Sequence, residues 1–449
     1  MESFTEELTV RKVYGFLIPL FLSTILTQSY NIVSAAVTGR YLDTGALSVI
    51  VACSGCLSIE SSLCVSTTTG FGFYINRCVG SADVRRQREA LWGALSICFG
   101  MIAVSLFLCN LAEPGMTLAN VPDYMLEDAR PYMTVILSVG GFWAPENLLI
   151  QVIECFGESR MPAALSTVGI VAQTLLMIVL ITLGGLGVEA SALAVLVLHI
   201  GKALILTVWL LLKPGSRKLL LRPCLPSLPV WTELLKNGFS KSLMMIIIGL
   251  GAFIFKRRIN TLPEAVLTGY SYGQTPVDLL MSSLSAWAVT AGLITGQNKE
   301  SHRIFVAEKW NRKLLIASTI LSGIYFLIVL VFAPTLITLL AGSELSAESL
   351  NAACRVLRIQ TLALPLVNCY MLCRNALQSL GVYRILPLLG GMEALLNLFF
   401  AWVLIPAFGY TAVCWSVAFT WGVPAIIGLH FYCKKIREES REATAEEHL

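Results

Sequence analysis

Residues Leu314–Phe332 read LLIASTILSGIYFLIVLVF, without one charged side chain. A helix needs about 20 mostly apolar residues to cross a bilayer. Only helices and closed barrels satisfy their backbone in lipid, and the period-2 alternation of a barrel strand is absent, so the stretch predicts a spanning helix. Met244–Phe255 and Ala394–Pro406 are equally free of charge. Working outward, long apolar runs recur from Val13 to Cys433 with short polar breaks between them. They predict about twelve spans, at about 13–38, 46–75, 90–112, 128–153, 161–184, 187–212, 232–256, 265–296, 312–341, 353–378, 385–406 and 409–433.

Composition leads to the same class. The 449 residues are 56% hydrophobic and 13% charged, with mean hydropathy +0.74. Soluble proteins carry about 25% charged residues, so lipid is the solvent and the fold class is an all-α membrane protein. The net charge of +4 gives no ground for a nucleic-acid partner. Thirteen cysteines are scattered, mostly inside apolar runs. Cys53-x-x-Cys56 lies mid-span without a second cysteine pair or a nearby histidine, and reads as small packing residues rather than a metal or redox motif. His199, His302, His430 and His448 have no ligand spacing, and no Gly-x-x-x-x-Gly-Lys-Ser/Thr loop exists to hold ATP. No enzyme, metal or cofactor is expected, and lone His199 reads as a packing residue. A twelve-span chain with polar residues inside its spans moves something across the membrane. Its drive is then an ion gradient or a separate subunit. Met1–Lys12 is followed by a full-length span and has no small-residue cleavage site, which argues against a removed signal peptide.

Loop charge predicts orientation. Arg11–Lys12, then Arg77 with Arg85, Arg86 and Arg88, then Lys213, Arg217, Lys218 and Arg222, then Lys299, Arg303, Lys309, Arg312 and Lys313, then Lys434–Lys435 alternate with loops poor in Lys and Arg. Positive loops stay in the cytoplasm, so both termini are expected there. Lys256-Arg257-Arg258 breaks the rule at the external end of span seven. It reads either as snorkelling to headgroups or as an anion contact.

The chain also looks duplicated. Gly157-Glu-Ser-Arg160 recurs as Gly381-Val-Tyr-Arg384, and at the same offset Gln173 meets Asn397 and Gly185 meets Gly409. Each repeat holds six spans, so the two have the same topology and are expected to be related by an axis along the membrane normal, with a central path between them. The expected organisation is a first six-helix lobe at 1–212, a cytoplasmic linker at 213–231, a second lobe at 232–435 and a polar tail at 436–449. The tail, rich in Glu and Ala, predicts a solvated and partly disordered end.

Polar residues inside the spans fall on stripes at 100° per residue. Span one carries Thr24, Thr27, Gln28, Asn31, Ser34 and Thr38, and span eight carries Ser271, Gln274, Thr275, Asp278, Ser282 and Ser285. Span ten aligns Thr361, Pro365, Asn368 and Asn375, and span four aligns Trp143, Asn147, Gln151 and Glu154. One stripe alone reads equally as helix–helix glue. Four, shared by both halves, point to a wet cavity. A carboxylate at the bilayer centre costs at least about 2.5–3.5 kcal/mol on insertion scales, so it seldom faces lipid. Asp278 and Glu60 are the deepest acids. Glu60 points away from the Ser54, Ser58, Ser61, Ser62 stripe, which suits a bond to a neighbouring helix. Glu393 reads as a structural acid in span eleven. Pro19, Pro276 and Pro365 sit inside spans and can kink or hinge them.

These motifs resemble the multidrug and toxic compound extrusion (MATE) transporters, nearest the bacterial DNA-damage-inducible F branch, over essentially the whole chain. The resemblance is carried by Pro19, by Tyr30-Asn31-Ile32-Val33-Ser34 leading to Gly39-Arg40, and by Gly80-Ser-Ala-Asp83 with its arginines. Gly157 with Pro162, Gly296-Gln297-Asn298, Gln378-Ser-Leu-Gly381 and Gly409 complete it. It implies two six-helix lobes in a V, alternating access, and export of cationic or amphipathic compounds against Na⁺ or H⁺. The chain departs from the family where Ser34 replaces the usual first-lobe acid, where Gln173 and Met177 stand for the usual fifth-span Asn and Asp, and where Met244–Phe255 lacks the Glu of some relatives.

The expectation is therefore a secondary active exporter of small cationic or amphipathic compounds in the bacterial inner membrane. It needs no cofactor and no obligate protein partner, and its coupling ion is H⁺ or Na⁺. Two alternatives stand beside it: a flippase for a lipid-linked or anionic amphipathic metabolite, and a non-transporting scaffold or sensor, which the loss of the first-span acid favours. The candidate pathway residues are Gln28, Asn31, Ser34, Glu60, Asn147, Gln151, Gln173, Gln274, Asp278, Asn368 and Asn375.

Overall fold

Apolar runs of this length bury their backbone polar groups only by winding into helices, and the computed structural model is helical throughout its described residues. These are residue 4 and residues 8–41, 44–118, 126–341 and 345–447; the side chains of 29–48, 50–52, 54–59, 61, 115, 117–118, 128, 341 and 443–447 lie outside the description. The chain divides into two compact units, Met1–Ser242 and Leu243–Leu449.

The first unit contains α1 (Val10–Tyr41), α2 (Thr44–Gly80), α3 (Val84–Leu108), the short α4 (Ala112–Leu118), α5 (Leu126–Cys155), α6 (Arg160–Thr182), α7 (Glu189–Leu212), the linker helix α8 (Pro214–Leu220) and the start of α9 (Leu228–Ile259). The second holds the rest of α9, then α10 (Glu264–Glu300), α11 (Ile304–Ala341), α12 (Ala347–Leu362), α13 (Leu364–Ser379), α14 (Ile385–Phe399), the one-turn α15 (Ile405–Phe408) and α16 (Tyr410–Glu447). Ten of these pass as spans among the described residues. Joining α12 to α13 across their 47° bend makes an eleventh. α2, with 37 residues, is not among them, so the described residues give ten or eleven spans where about twelve are expected. The bend falls at Ala363, two residues before Pro365, where the ring cannot donate to the helix ladder. Pro276 instead lies inside a continuous α10.

The first unit runs past the linker because the first turns of α9 pack on α2. A Cβ on Gly70 would lie 2.5 Å from the Asn237 carbonyl oxygen, and Arg77 pairs with Glu233 at 3.2 Å. Glu89 ties the linker to α3 by accepting 2.7 Å and 3.2 Å bonds from the Ser227 hydroxyl and amide. Asp83 caps α3 by accepting from the Arg85 and Arg86 amides.

Duplication is written in the backbone. Gly157 and Gly381 both adopt positive φ, 75° and 81°, as do Gly185 and Gly409, 64° and 56°. Ala82 and His302, in the corresponding turns after α2 and α10, share φ 57°. These six are all the positive-φ residues among those described. In each half, a glycine at φ > 0 ends the fourth and the fifth span without the penalty a Cβ would bring. The tail differs from the expected disordered end: α16 continues as helix to Glu447, with Lys435 paired to Glu438 at 3.4 Å and Glu439 at 3.2 Å, one turn on.

Each unit is apolar outside and partly polar inside. Leu183 and Leu339 are 82% exposed, whereas Asn76, Thr290, Asn298, Thr361 and Asn368 are fully buried. This inversion is what lipid as solvent requires. The central helix pairs, α2 with α5 and α10 with α12, are seated by glycines. A Cβ on Gly72 would meet Gln151 at 2.8 Å, and one on Gly269 would lie 2.4 Å from the Ser349 carbonyl oxygen.

Candidate functional site

In the first unit the α2–α5 seam brings together three of the expected residues. Glu60 is 8% exposed and accepts 2.6 Å from the Ser105 hydroxyl of α3. Its carboxyl lies against Gly140 of α5, where a Cβ would come 2.7 Å from Glu60 Cδ. Its other oxygen, Oε2, is buried with no hydrogen-bond partner among the described residues. Two turns on, Asn147 Nδ2 lies 2.8 Å from Thr68 Oγ1 and 3.2 Å from both the Val65 carbonyl oxygen and Thr69 Oγ1. Gln151 follows against Gly72, and Glu154, 3% exposed, closes the seam. Glu60 bonds a neighbouring helix, the option its direction suggested.

The other expected residues of this unit lie on α1 and α6. Gln28 is exposed on α1, while the side chains of Asn31 and Ser34 lie outside the described residues. Thr24 and Thr27 return their hydroxyls to the Phe21 and Ser23 carbonyls of their own helix. Gln173 is buried on α6.

A charged cluster missing from the sequence-based set lies beside this seam. Glu146, 1% exposed, faces two residues of α7: Lys202 Nζ at 2.5 Å from Oε1, and His199 Nδ1 in a short contact with Oε2. Trp143 stacks on the His199 ring, centroids 4.8 Å apart. The available signal was His199 and Lys202 three residues apart in one span, with an unexplained Glu146 in another. Nothing local pairs them.

In the second unit, the α10 stripe is open at Ser271, Thr275 and Asp278 and half-buried at Gln274, Ser282 and Ser285. Asp278 is exposed and accepts 2.8 Å from Gln274 Nε2, with Ser271 and Thr275 exposed beside it. The opposite face of α10, with Gly273, Val277 and Leu284, is buried. The span-ten residues are interior instead: Asn368 donates 2.6 Å to Ser318 of α11, and Asn375 is 7% exposed. Glu393, 3% exposed, accepts 3.4 Å from the Tyr370 hydroxyl, with the Arg374 guanidinium 5.1 Å above that ring. Among the described residues no group of three or more His, Cys, Asp and Glu could hold a metal.

Lys256, Arg257, Arg258 and Arg358 carry no ion pair or side-chain hydrogen bond among the described residues, and the Nε atoms of Arg258 and Arg358 are buried without partners. Arg355 donates 2.9 Å to Thr411 Oγ1.

A family model described as MatE matches residues 19–180 and 242–403, two blocks of equal length. Multidrug export protein MepA of Staphylococcus aureus (strain MSSA476) is 22% identical over 421 residues, covering 90% of this chain and 88% of that protein. A crystal structure of MATE in complex with MaD3S superposes with TM-score 0.87 at 16% identity, covering 96% of this chain and 97% of that one. A MOP superfamily transporter from Pyrococcus furiosus, described as having a binding pocket of reverse polarity, gives TM-score 0.80 at 16% identity over 97% and 99% of the two chains.

Proposed function

The chain belongs to the MatE family, and from that premise we propose that it is a secondary active exporter of small cationic or amphipathic organic compounds. It works by alternating access against a proton or sodium gradient, as a multi-pass protein of the bacterial inner membrane with both termini in the cytoplasm. The observation that carries this reading is exposed Asp278 on α10, bonded by half-buried Gln274. A carboxylate at that depth on the open face of a spanning helix is far too costly against hydrocarbon, so it needs water or a cationic ligand. The opposite face of the same helix is packed, which fixes the direction in which the acid points. Asp278 then serves as the group that a proton and a cationic substrate compete for. Gln274→Cys, in a background without native cysteines, tests this. A membrane-impermeant thiol reagent should modify it in at least one conformation. Complete protection under all conditions would place the stripe against another helix and remove the cavity.

A second reading has its own support. Arg257, Arg258 and Arg358, which form no ion pair among the described residues, suit a phosphate or carboxylate head, as in export or flipping of an anionic amphiphile. The description of the Pyrococcus furiosus transporter leans the same way. Competition for bound tetraphenylphosphonium by an alkyl phosphate and by a second lipophilic cation separates the two: cation competition alone supports the first reading, phosphate competition alone the second.

A further inference from the structure

Gly157-Glu-Ser-Arg160 and Gly381-Val-Tyr-Arg384 are the same turn in the two units. Each opens on a glycine at positive φ and leads into a helix, α6 or α14. The two turns differ in one acid. In the first unit Glu158 Oε1 accepts 3.0 Å from the Arg160 amide. Val382 holds that place in the second unit, and its side chain can accept nothing from the Arg384 amide. That amide has no acceptor, and the exposed Arg384 guanidinium no ion pair, among the described residues.

What the second unit has beside this turn is space. A cavity of about 390 Å³ is lined by the turn from Leu380 to Arg384, by Lys299 of α10 and by Lys435 of α16. That volume falls among small-ligand sites, about 300–1,000 Å³. Lys299 donates 2.8 Å to the Leu380 carbonyl oxygen and pairs with Glu439 at 3.1 Å, and Lys435 pairs with Glu439 at 3.2 Å and Glu438 at 3.4 Å. Neither acid lines the cavity. The two glutamates balance the two lysines, which leaves Arg384 as the uncompensated charge.

Arg384 also heads an apolar stripe on α14. Leu388, Leu395 and Phe399, which are 52%, 66% and 49% exposed, fall within about 60° of it around the helix. Gly391 lies among them, and a Cβ there would meet nothing within 4 Å, so the stripe has a notch. The other face of α14, with Leu386, Leu389 and Glu393, is buried. From Arg384 to Phe399 the stripe runs about 22 Å at 1.5 Å per residue. That exceeds the roughly 15 Å hydrocarbon depth of one leaflet. A charged head pocket joined to an apolar strip of that length has the shape of a phospholipid.

We propose that this turn, with Lys299, Lys435 and the outer face of α14, is a binding site for an anionic phospholipid. The phosphate accepts from the Arg384 amide and guanidinium, and so replaces the carboxylate that Glu158 supplies in the first unit. The acyl chains lie along Leu388, Gly391 and Leu395. The Lys/Arg-rich loops are on the same face of the protein, where basic pockets between helices take anionic headgroups. The site does not depend on what the protein exports, and it is measured without transport.

Purified protein in detergent is titrated separately with phosphatidylglycerol, with phosphatidylcholine of the same chains, with glycerol 3-phosphate and with inorganic phosphate. Native mass spectrometry counts the molecules retained. The expected result is a phosphatidylglycerol held under conditions that strip phosphatidylcholine, with both soluble phosphates binding far more weakly. Arg384→Gln should weaken phosphatidylglycerol binding about tenfold or more. Val382→Glu, which restores the acid of the first unit, should abolish it, whereas Val382→Gln should keep it. Arg437→Gln removes the same charge outside the cavity and should also keep it. The Arg384 and Val382 variants are independent, so either one decides if the other does not purify. Equal retention of the two lipids by wild type, or retention of phosphatidylglycerol unchanged by Arg384→Gln and Val382→Glu, overturns the site. Glycerol 3-phosphate bound as tightly as phosphatidylglycerol would make it a site for free phosphate esters and overturn the lipid assignment.

Discussion

A single buried carboxylate can be glue or machinery, and its surroundings decide which. Glu393, with a tyrosine hydroxyl and an arginine beside it, is held as a structural acid would be. Asp278, exposed on its helix with the Gln274 amide as donor and the charge of Lys256 acting on it, is not. Asp278→Asn keeps the shape and most of the hydrogen bonding while removing the charge change. It should fold with wild-type thermal stability and lose gradient-driven transport together with the pH dependence of substrate binding. Wild-type rate and pH profile in the Asn variant would show that Asp278 is not the coupling group. The sequence made Asp278, Glu60 and the Asn147 stripe legible because each lies on a periodic face or stands alone as an acid. It left His199 as a packing residue, since Glu146 is 53 positions away and no local pattern joins them. The four stripes also looked alike in sequence. Only packing separates Asn368, bonded to Ser318 in the interior, from Asp278, exposed on α10.

Helix pairs are seated by absent side chains. On α10, a Cβ at Gly273 would fall 2.6 Å from the Ala353 carbonyl oxygen and 2.4 Å from Val356 Cγ1, whereas Gly323 of α11 has nothing within 4 Å. Gly273→Ala should therefore push α12 from α10 and cost about 1–3 kcal/mol. Gly323→Ala should be neutral or slightly stabilising, by up to about 1 kcal/mol. Melting of the purified variants in detergent checks both, and equal melting temperatures would contradict the close seating of α12 on α10. The element pattern was well read from sequence because span length and charge-free runs are set by the bilayer itself. The 47° break between α12 and α13 follows from Pro365, as the missing amide predicts. Pro276 leaves α10 continuous, so a proline alone does not dictate a break. The helical tail escaped prediction because its stabilising pairs, Lys435 with Glu438 and Glu439, are too few to change the composition of that end.

For the whole molecule, the two matched blocks and the paired positive-φ turns describe one six-span unit used twice. Repeats of even span number keep the same topology, so the Lys/Arg bias of the loops applies to both units alike. A reporter fused after Gly115 should read as external and one after Gly215 as cytoplasmic. The reverse labelling would invert the orientation. The most direct measurement of the central claim is efflux of a lipophilic cation from proteoliposomes of the wild-type protein under an imposed pH gradient, an imposed Na⁺ gradient, or neither. An ion-coupled exporter gives transport that follows an imposed gradient, stops when that gradient is collapsed by an ionophore, and is lost in Asp278→Asn. Equal fluxes with and without gradients, and in the presence of the ionophore, would contradict it.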